Sequence, residues 1–331
     1  MKKTSMTDIA KLAGVSVKTV SRVINGSSEV KPDTKKKIME IIEKEGYVVN
    51  LAAQGLKGRK TKTIIVFIDT HGGSYWSIWH NEILNSIFKE AKKTGYKVVV
   101  SPSSATGVIG DETDGFYLLK ARLADGAIIF DNKKDDIRLK YLYENNIPYV
   151  LVGKLDDDKS YYVDLDNYKA GFIGGEYLHK RGYKKIVQFV GSDDFIVNQE
   201  RIKGFENALS ATDVEHKTFS GVDSVVKAFE KAKQLLDEET IDAFFVSGDE
   251  RAIGVYRAVH EKGLKIPEDI AILGIDNIVI SEFLYPPLST VDQDTSGLGK
   301  TALKTIVKQI KNEEVKQIQI SEPKIIERES S

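Results

Sequence analysis

The spacing of hydrophobic residues changes character along the 331-residue chain. Between Ser5 and Gly46 apolar positions recur every three to four residues, the period of an amphipathic helix. From Thr63 onward they gather in short continuous runs with helix-periodic stretches between them. The first segment predicts three short helices. Ser5 followed by Asp8 makes a capping pair, after which Ile9, Ala10 and Ala13 fall on one face. Gly14-Val15 breaks that helix. Ser16 can cap the next one, in which Val20, Val23 and Ile24 point one way and Val17, Lys18, Ser21 and Arg22 the other. Pro32 stands where a first helical position is expected; Ile38, Ile41 and Ile42 follow at core spacing, and Gly46 ends the helix. Two short helices joined by a glycine-containing turn predict a helix-turn-helix, the second helix of which would lie in the major groove of DNA.

The remainder reads as strands alternating with helices. Apolar runs occur at Ile64–Ile68, Val98–Val100, Ala127–Phe130 and Tyr149–Val152, with helical segments such as Ile78–Lys93 between them. A second series starts after Tyr162, with runs at Ile186–Val190, Ala243–Val246 and Ile270–Leu273. Near-continuous β-branched strands separated by helices imply parallel sheets buried on both faces. The expected fold class is therefore α/β, with two doubly wound subdomains side by side. Ligands in such sheets bind at the carboxyl ends of the strands, and a cleft between subdomains is a favoured place.

Charge sharpens the division. The net charge is only −1, yet residues 1–60 hold 13 Lys and Arg against 6 Asp and Glu, a net of +7, and the rest carries −8. A basic head on an acidic body points to nucleic acid. Cysteine is absent, which excludes disulfides, thiolate catalysis and Cys-ligated metal sites. No apolar run reaches the ~18 residues of a membrane span. The start, Met1-Lys2-Lys3-Thr4-Ser5, is followed by a polar, helix-periodic segment where a signal peptide needs an apolar one, so a cytoplasmic location and no membrane partner are expected.

No enzyme constellation is found. His71, His80, His179, His216 and His260 lack metal-ligand spacing, and no G-x-S-x-G elbow exists. Gly171, Gly174 and Gly175 lie within a helical pattern, where packing explains them better than a dinucleotide fingerprint. Gly58-Arg59-Lys60-Thr61 lacks the Gly-Lys adjacency of a phosphate loop. Neither catalysis, metal nor cofactor is expected.

The stretch from Met6 to Gly26, Met-Thr-Asp-Ile-Ala-Lys-Leu-Ala-Gly-Val-Ser-Val-Lys-Thr-Val-Ser-Arg-Val-Ile-Asn-Gly, resembles the N-terminal signature of the lactose/galactose repressor (LacI/GalR) family of bacterial transcription regulators. The resemblance implies that Val17, Lys18 and Arg22 read base edges. Ser16, Thr19, Ser21 and Asn25 would hold the DNA backbone, and Ser5 is counted with the DNA-facing residues. The chemistry agrees. Arg22 can fork onto a guanine, Lys18 can donate to guanine acceptors, and Val17 can touch a thymine methyl. Hydroxyls suit phosphates, which set register. The resemblance also implies a hinge helix after the head, capped by Asn50, lined by Ala53 and Gln54, with Leu56 as a minor-groove wedge. Val49 stands where the family usually has proline and Gln54 where arginine is common. With Gly55 and Gly58 nearby, the hinge is expected to fold only on DNA.

The resemblance runs on through Asp125-Gly126-Ala127-Ile128-Ile129, Val163-Asp164-Leu165-Asp166-Asn167, Arg201-Ile202-Lys203-Gly204-Phe205, Gly274-Ile275-Asp276-Asn277 and Pro287 to Gln293. It implies a core similar to periplasmic sugar-binding proteins, a two-lobed clamp whose chain crosses between lobes three times. The expected domains are a helix-turn-helix head at 1–49, a hinge helix and linker at 50–61, and a core at 62–331. Within the core, one subdomain would take 62–162 plus 292–321 and the other 163–291 plus 322–331. Arg201 would reach ligand hydroxyls or a carboxylate, Asp276 would accept from hydroxyls, and Gln293 and Asp69 would line the cleft. Tyr75 and Trp76 would stack on a sugar ring, whereas Trp79 is expected to pack in the core. Gly248 departs from the asparagine of many sugar-responsive members.

The implied protein is a homodimeric repressor of carbohydrate-utilisation genes. It would bind a near-palindromic double-stranded operator on the bacterial nucleoid and answer to a mono- or oligosaccharide. A purine effector, a phosphoprotein corepressor, and a freestanding cytoplasmic sugar-binding protein are the alternatives.

Overall fold

The computed structural model describes residues 4–24, 28–48, 60–69, 76–103, 105, 114–156 and 159–331. The chain forms two compact units, Met1–Arg59 and Lys60–Ser331.

In the first unit three helices, α1 (Met6–Ala13), α2 (Val17–Ile24) and α3 (Pro32–Lys44), close on one small core. Ser5 Oγ accepts the Asp8 N–H at 3.2 Å while the Asp8 carboxylate accepts the Ser5 N–H at 2.9 Å, so two orphan donors at the start of α1 are satisfied reciprocally. Gly14 ends α1 in the left-handed region, φ +69°, which no β-carbon opposes. Ser16 Oγ then accepts the Thr19 N–H at 3.1 Å and caps α2. Ile9, Ala10, Ala13, Val20, Val23 and Ile38 form the core, with Ile24, Ile41, Ile42 and Tyr47 packed around it.

The second unit holds two six-stranded sheets. The first runs in the order β11-β5-β4-β3-β1-β2, with β1 (Thr63–Ile68), β2 (Lys97–Pro102), β3 (Gly126–Ile129), β4 (Tyr149–Val152), β5 (Tyr162–Leu165) and β11 (Ile318–Ser321), all parallel. Alternate residues of β1 serve opposite faces. Ile64, Val66 and Ile68 pack under α4 (Ile78–Thr94) and α11 (Thr295–Ile310). Ile65 and Phe67 pack under α5 (Gly115–Lys120) and α6 (Ile137–Glu144).

The second sheet runs β12-β10-β9-β8-β6-β7, with β6 (Lys185–Phe189), β7 (Glu215–Phe219), β8 (Ala243–Val246), β9 (Ala271–Asp276), β10 (Ser289–Asp292) and β12 (Lys324–Ile326). Only the edge strand β12 is antiparallel. Helices α7 (Asn167–Lys180) and α8 (Ile196–Leu209) cover one face; α9 (Val225–Glu238) and α10 (Asp249–Glu261) cover the other.

The chain passes between the sheets after β5, after β10 and after β11. The expected division between residues 162 and 163 therefore cuts a strand. All of β5 belongs to the first sheet, because Tyr162 and Val163 pair with Leu151 and Val152, and Ile318 to Ser321 pair along its other edge. The expected linker at 50–61 also ends too late. Thr61 is buried, its N–H donating to Asp125 at 2.8 Å, so the last linker residues are already part of the core.

Candidate functional site

The outer face of α2 is left free by the packing of its inner face. Val20 and Val23 are buried, which turns Val17, Lys18 and Arg22 outward; Val17 is 43% exposed although apolar. Thr19 and Ser21 are half-buried beside them. Ser16 and Thr19 share a hydroxyl–hydroxyl bond of 2.9 Å, so the capping group also orients a second hydroxyl on this face. Arg22 Nη2 meets Glu29 Oε2 at 3.1 Å, a partner the sequence reading did not include. Asn25 and the hinge residues Asn50, Ala53, Gln54 and Leu56 lie outside the described residues, as does Val49.

In the second unit, groups from both lobes gather at the carboxyl ends of the strands. The second lobe's set is held by a close helix crossing. A β-carbon on Gly171 of α7 would come within 2.1 Å of the Arg201 carbonyl oxygen, and one on Gly204 of α8 within 1.9 Å of the Tyr168 carbonyl oxygen. Only hydrogens at both positions let the two backbones touch. That contact sets Arg201, 7% exposed, where its Nε donates to Asn167 Oδ1 at 2.9 Å.

Asp276 ends β9 and Gln293 follows β10. Adjacent strands bring them together, and Gln293 Nε2 donates to Asp276 Oδ1. Burial pushes the Asp276 carboxyl well above its ordinary range. The neighbouring Asp249 adds to this, and Arg201 and Arg251 oppose it. Asp249 is fully buried and accepts from Ser281 Oγ and Thr290 Oγ1, each at 2.6 Å. Burial raises it as well. Asp164, at the first lobe crossing, is pushed up to about 6 by burial, against hydrogen bonds from the Leu165 and Lys154 N–H groups and the charge of Arg201. Burial pulls both arginines down, but a guanidinium stays cationic at any working pH.

On the first lobe, Asp69 directly follows β1 and is 8% exposed; its N–H donates to Asp131 Oδ2 at 3.3 Å. Asp131 also takes the His80 Nε2 contact at 3.2 Å. Arg138, buried without exposure, donates to Asp136 and to the carbonyls of Phe130 and Asp131, which fixes this mouth loop. Trp79 packs on the core, edge-on to Phe130, as expected. Trp76 is half-buried against the same cluster, and Tyr75 lies outside the described residues.

The lobes also bond directly. The Ile78 N–H donates to Glu250 at 3.2 Å, the Val279 N–H to Glu82 at 2.8 Å, and Lys154 pairs with Glu200 at 2.5 Å. Glu82, Glu250 and Arg251 were not singled out from the sequence, where each looks like an ordinary polar helix residue. Among the described residues, no group of three or more His, Asp or Glu side chains could hold a metal ion, and no helix is long and apolar enough to cross a membrane. Hydrogen-bond donors and acceptors of both lobes therefore stand at the carboxyl ends of their strands.

Comparison with known proteins agrees on both units. Residues 5–50 match the profile of bacterial regulatory proteins of the lacI family, and residues 176–331 match a periplasmic binding protein-like domain. The chain resembles the structure of the lac repressor dimer bound to operator and an anti-inducer, at 26% identity and TM-score 0.83 over 99% of both chains. It also resembles the regulator CelR in complex with cellobiose, at 26% identity and TM-score 0.73 over 99% of this chain and 100% of the other. Against the HTH-type transcriptional repressor PurR of Actinobacillus pleuropneumoniae it is 32% identical over 311 residues, 92% of this chain and 90% of that one. A capped helix-turn-helix, a two-lobed core and near full-length kinship at this identity make the chain a member of the lacI family of bacterial regulatory proteins.

Proposed function

We propose that this regulator is a homodimeric repressor. It reads a near-palindromic operator through α2 and releases or grips it according to a small polyhydroxylated molecule held in the core cleft. The observation that carries the reading is the outward face of α2, where an apolar Val17 stands exposed between Lys18 and Arg22. A solvated helix gains nothing from that valine, whereas a thymine methyl in the major groove does. Lys18 and Arg22 would address guanine, and Ser16, Thr19, Ser21 and Asn25 the phosphates. Leu56, with Asn50, Ala53 and Gln54, would form the minor-groove wedge. One helix-turn-helix per chain calls for two-fold pairing to read two half-sites. Phe283 and Tyr285, 77% and 85% exposed, are apolar area that such pairing would cover.

In the cleft, Arg201, Asp276, Gln293 and Asp69 would address the effector's polar groups, with Tyr75 and Trp76 beside its ring. The likeness to a cellobiose-bound regulator supports a saccharide and a target among carbohydrate-utilisation genes. Gly248, in place of the asparagine of many sugar-responsive members, keeps a purine as the second reading. The setting is the bacterial cytoplasm. The test is a footprint of the full-length protein on the DNA around its own gene, paired with a thermal-shift screen of saccharides and purines. A footprint with two-fold symmetry, weakened or strengthened by a hit from the screen, is expected. A protein that is monomeric at micromolar concentration and leaves no footprint overturns the reading.

A further inference from the structure

Two lysines of the first lobe reach across to α8, the second-lobe helix that carries Arg201. Lys133, in the loop between β3 and α6, holds its ammonium 4.9 Å from the ring centroid of Phe195, the residue just before α8. Lys154, two residues past β4, donates from Nζ to Glu200 Oε1 at 2.5 Å, and Glu200 directly precedes Arg201 on the helix. The two side chains of that ion pair are partly sheltered, at 34% and 24% exposure, so solvent screens it less than a pair on the open surface. The bond to Glu200 holds the Lys154 ammonium above its ordinary range, against partial burial. Asp156 stands two residues away on the same loop, yet the ammonium's hydrogen bond goes to the carboxylate of the other lobe.

Both loops are anchored in their own lobe. Arg138 donates to the carbonyls of Phe130 and Asp131, just ahead of Lys133. Gly153, at φ +102°, turns the chain out of β4 in a conformation that favours glycine. The turn brings the Lys154 N–H to Asp164 Oδ2 at 2.9 Å. From Asp164 a chain of bonds runs through the first crossing between the lobes. Its Oδ1 accepts from Asn167 Nδ2 at 3.1 Å, and Asn167 Oδ1 accepts from Arg201 Nε at 2.9 Å. Lys154 is therefore joined to α8 by two routes, its side chain through Glu200 and its backbone through Asp164 and Asn167. The routes end on neighbouring residues, so a ring of bonds closes across the lobes. The backbone route follows the covalent crossing from β5 to α7 and tolerates a rotation of one lobe on the other. The side-chain route spans from lobe to lobe and breaks when α8 moves away. With the ring intact Arg201 is held on both sides; with it broken, α8 is free to turn about the Asn167 bond.

We propose that Lys133 and Lys154 form a charge-dependent clasp that closes the first lobe onto α8 and, in closing, sets Arg201. It rests on Arg201 serving the effector, but no ligand enters the test, so its failure leaves that role to be judged by the effector screen. The chain has no cysteine, so cysteines introduced at the exposed positions Lys140 and Glu206 carry a fluorophore pair, one on each lobe. Labelled full-length protein is mixed with excess unlabelled protein, so that each labelled chain is read alone. Energy transfer gives the interlobe distance. Hydrogen exchange of the Arg201 Nε–H, followed by NMR on arginine-labelled protein and assigned with Arg201→Lys, gives the setting of Arg201. Lys154→Met should raise the open-to-closed ratio by about two- to fivefold, the size expected of one partly sheltered ion pair. Arg201 Nε–H exchange should rise with it. Adding Lys133→Gln should open the lobes further, by the loss of the cation over the Phe195 ring. Lys154→Arg should behave like the parent, and 1 M NaCl should open the parent but not the double variant. Interlobe distances that are the same in the parent, in the double variant and in 1 M NaCl overturn the proposal. So does an opening by Lys154→Arg as large as that by Lys154→Met, which would assign the effect to side-chain shape and not to charge. Opening with no change in Arg201 Nε–H exchange also overturns it, since the clasp would then not set Arg201.

Discussion

Glu82 of the first lobe bonds to two points at once: its Oε1 accepts the backbone N–H of Val279 in the second lobe at 2.8 Å, and its Oε2 accepts the hydroxyl of Thr295 at 3.0 Å. Val279 opens a short 3-10 turn between β9 and β10, and Thr295 opens α11 just after the chain has crossed back. One carboxylate thus fastens the second lobe to the crossover beside it.

The latch makes a prediction that needs no ligand. With Glu82→Ala the Val279 amide loses its acceptor. Hydrogen exchange at that amide should accelerate by about tenfold or more, as the loss of a bond to a charged acceptor implies. Peptide-level exchange by mass spectrometry reads this directly. An unchanged rate would mean that other contacts, such as Glu250 with the Ile78 N–H, hold the lobes without Glu82.

Arg22 is engaged before any DNA arrives. Its bond to Glu29 joins two exposed side chains, a type of pair that contributes at most about 1 kcal/mol. Arg22→Ala should cost about 1–3 kcal/mol of operator affinity and relax the preference at one base pair of each half-site. Glu29→Gln frees the guanidinium and should tighten binding by no more than about fivefold. Gel-shift titrations on the operator and on single-base variants separate the two effects. Equal loss on every sequence with Arg22→Ala would assign that residue to phosphate.

Three buried carboxyls, Asp164, Asp249 and Asp276, are all displaced upward by burial, Asp164 to about 6. Such groups are protonated in the native core at a pH where the unfolded chain has already lost the proton. The native state therefore binds more protons, and stability falls as pH rises from about 4 to about 7. Asp164 alone accounts for up to about 3 kcal/mol of that fall. Melting followed by fluorescence suits the question, because Trp76 and Trp79 both lie in the core unit. The midpoint should drop by roughly 5–10 °C between about pH 5 and pH 7.5. Asp276→Asn should flatten the slope, and a midpoint that rises across this window would contradict the assignment.

How much of this was legible beforehand depends on how local the cause is. The head could be read because Ser5, Gly14, Ser16 and Pro32 act within one turn of their own positions. The central strands could be read because burial on both faces leaves an unbroken apolar run, as in Thr63–Ile68. Two of the edge strands could not. Glu215–Phe219 and Ile318–Ser321 are partly exposed and polar at alternate positions, and only pairing with a distant neighbour makes them strands. The placement of Arg201, Asp276 and Gln293 at the carboxyl ends of the strands was legible because they stand in stretches that resemble a family. It was not legible at Glu82, Glu250 or Arg251, since a single charged residue on a helix looks the same whether it faces water or another lobe.

The close crossing of α7 and α8 supplies the most direct test of what positions Arg201. Gly171 stands in the sequence as a packing residue and Gly204 in a stretch that resembles a family; a β-carbon on Gly204 would fall 1.9 Å from the Tyr168 carbonyl oxygen. That obstacle is backbone, so no rotamer change relieves it and the helices must separate. Overpacking of this kind costs about 1–3 kcal/mol. Gly204→Ala should therefore lower the core's melting midpoint by roughly 2–10 °C. It should also pull the Arg201 guanidinium away from Asn167, because both ride on the helices being pushed apart. Asn167→Ala removes the same hydrogen bond without moving the helices. Effector affinity should fall in both variants, and both should lose stability, since Asn167 is buried and also donates to Asp164 and to the Leu165 carbonyl. If Gly204→Ala melts like the parent, the two helices are not in contact where their glycines meet, and the placement of Arg201 must have another cause.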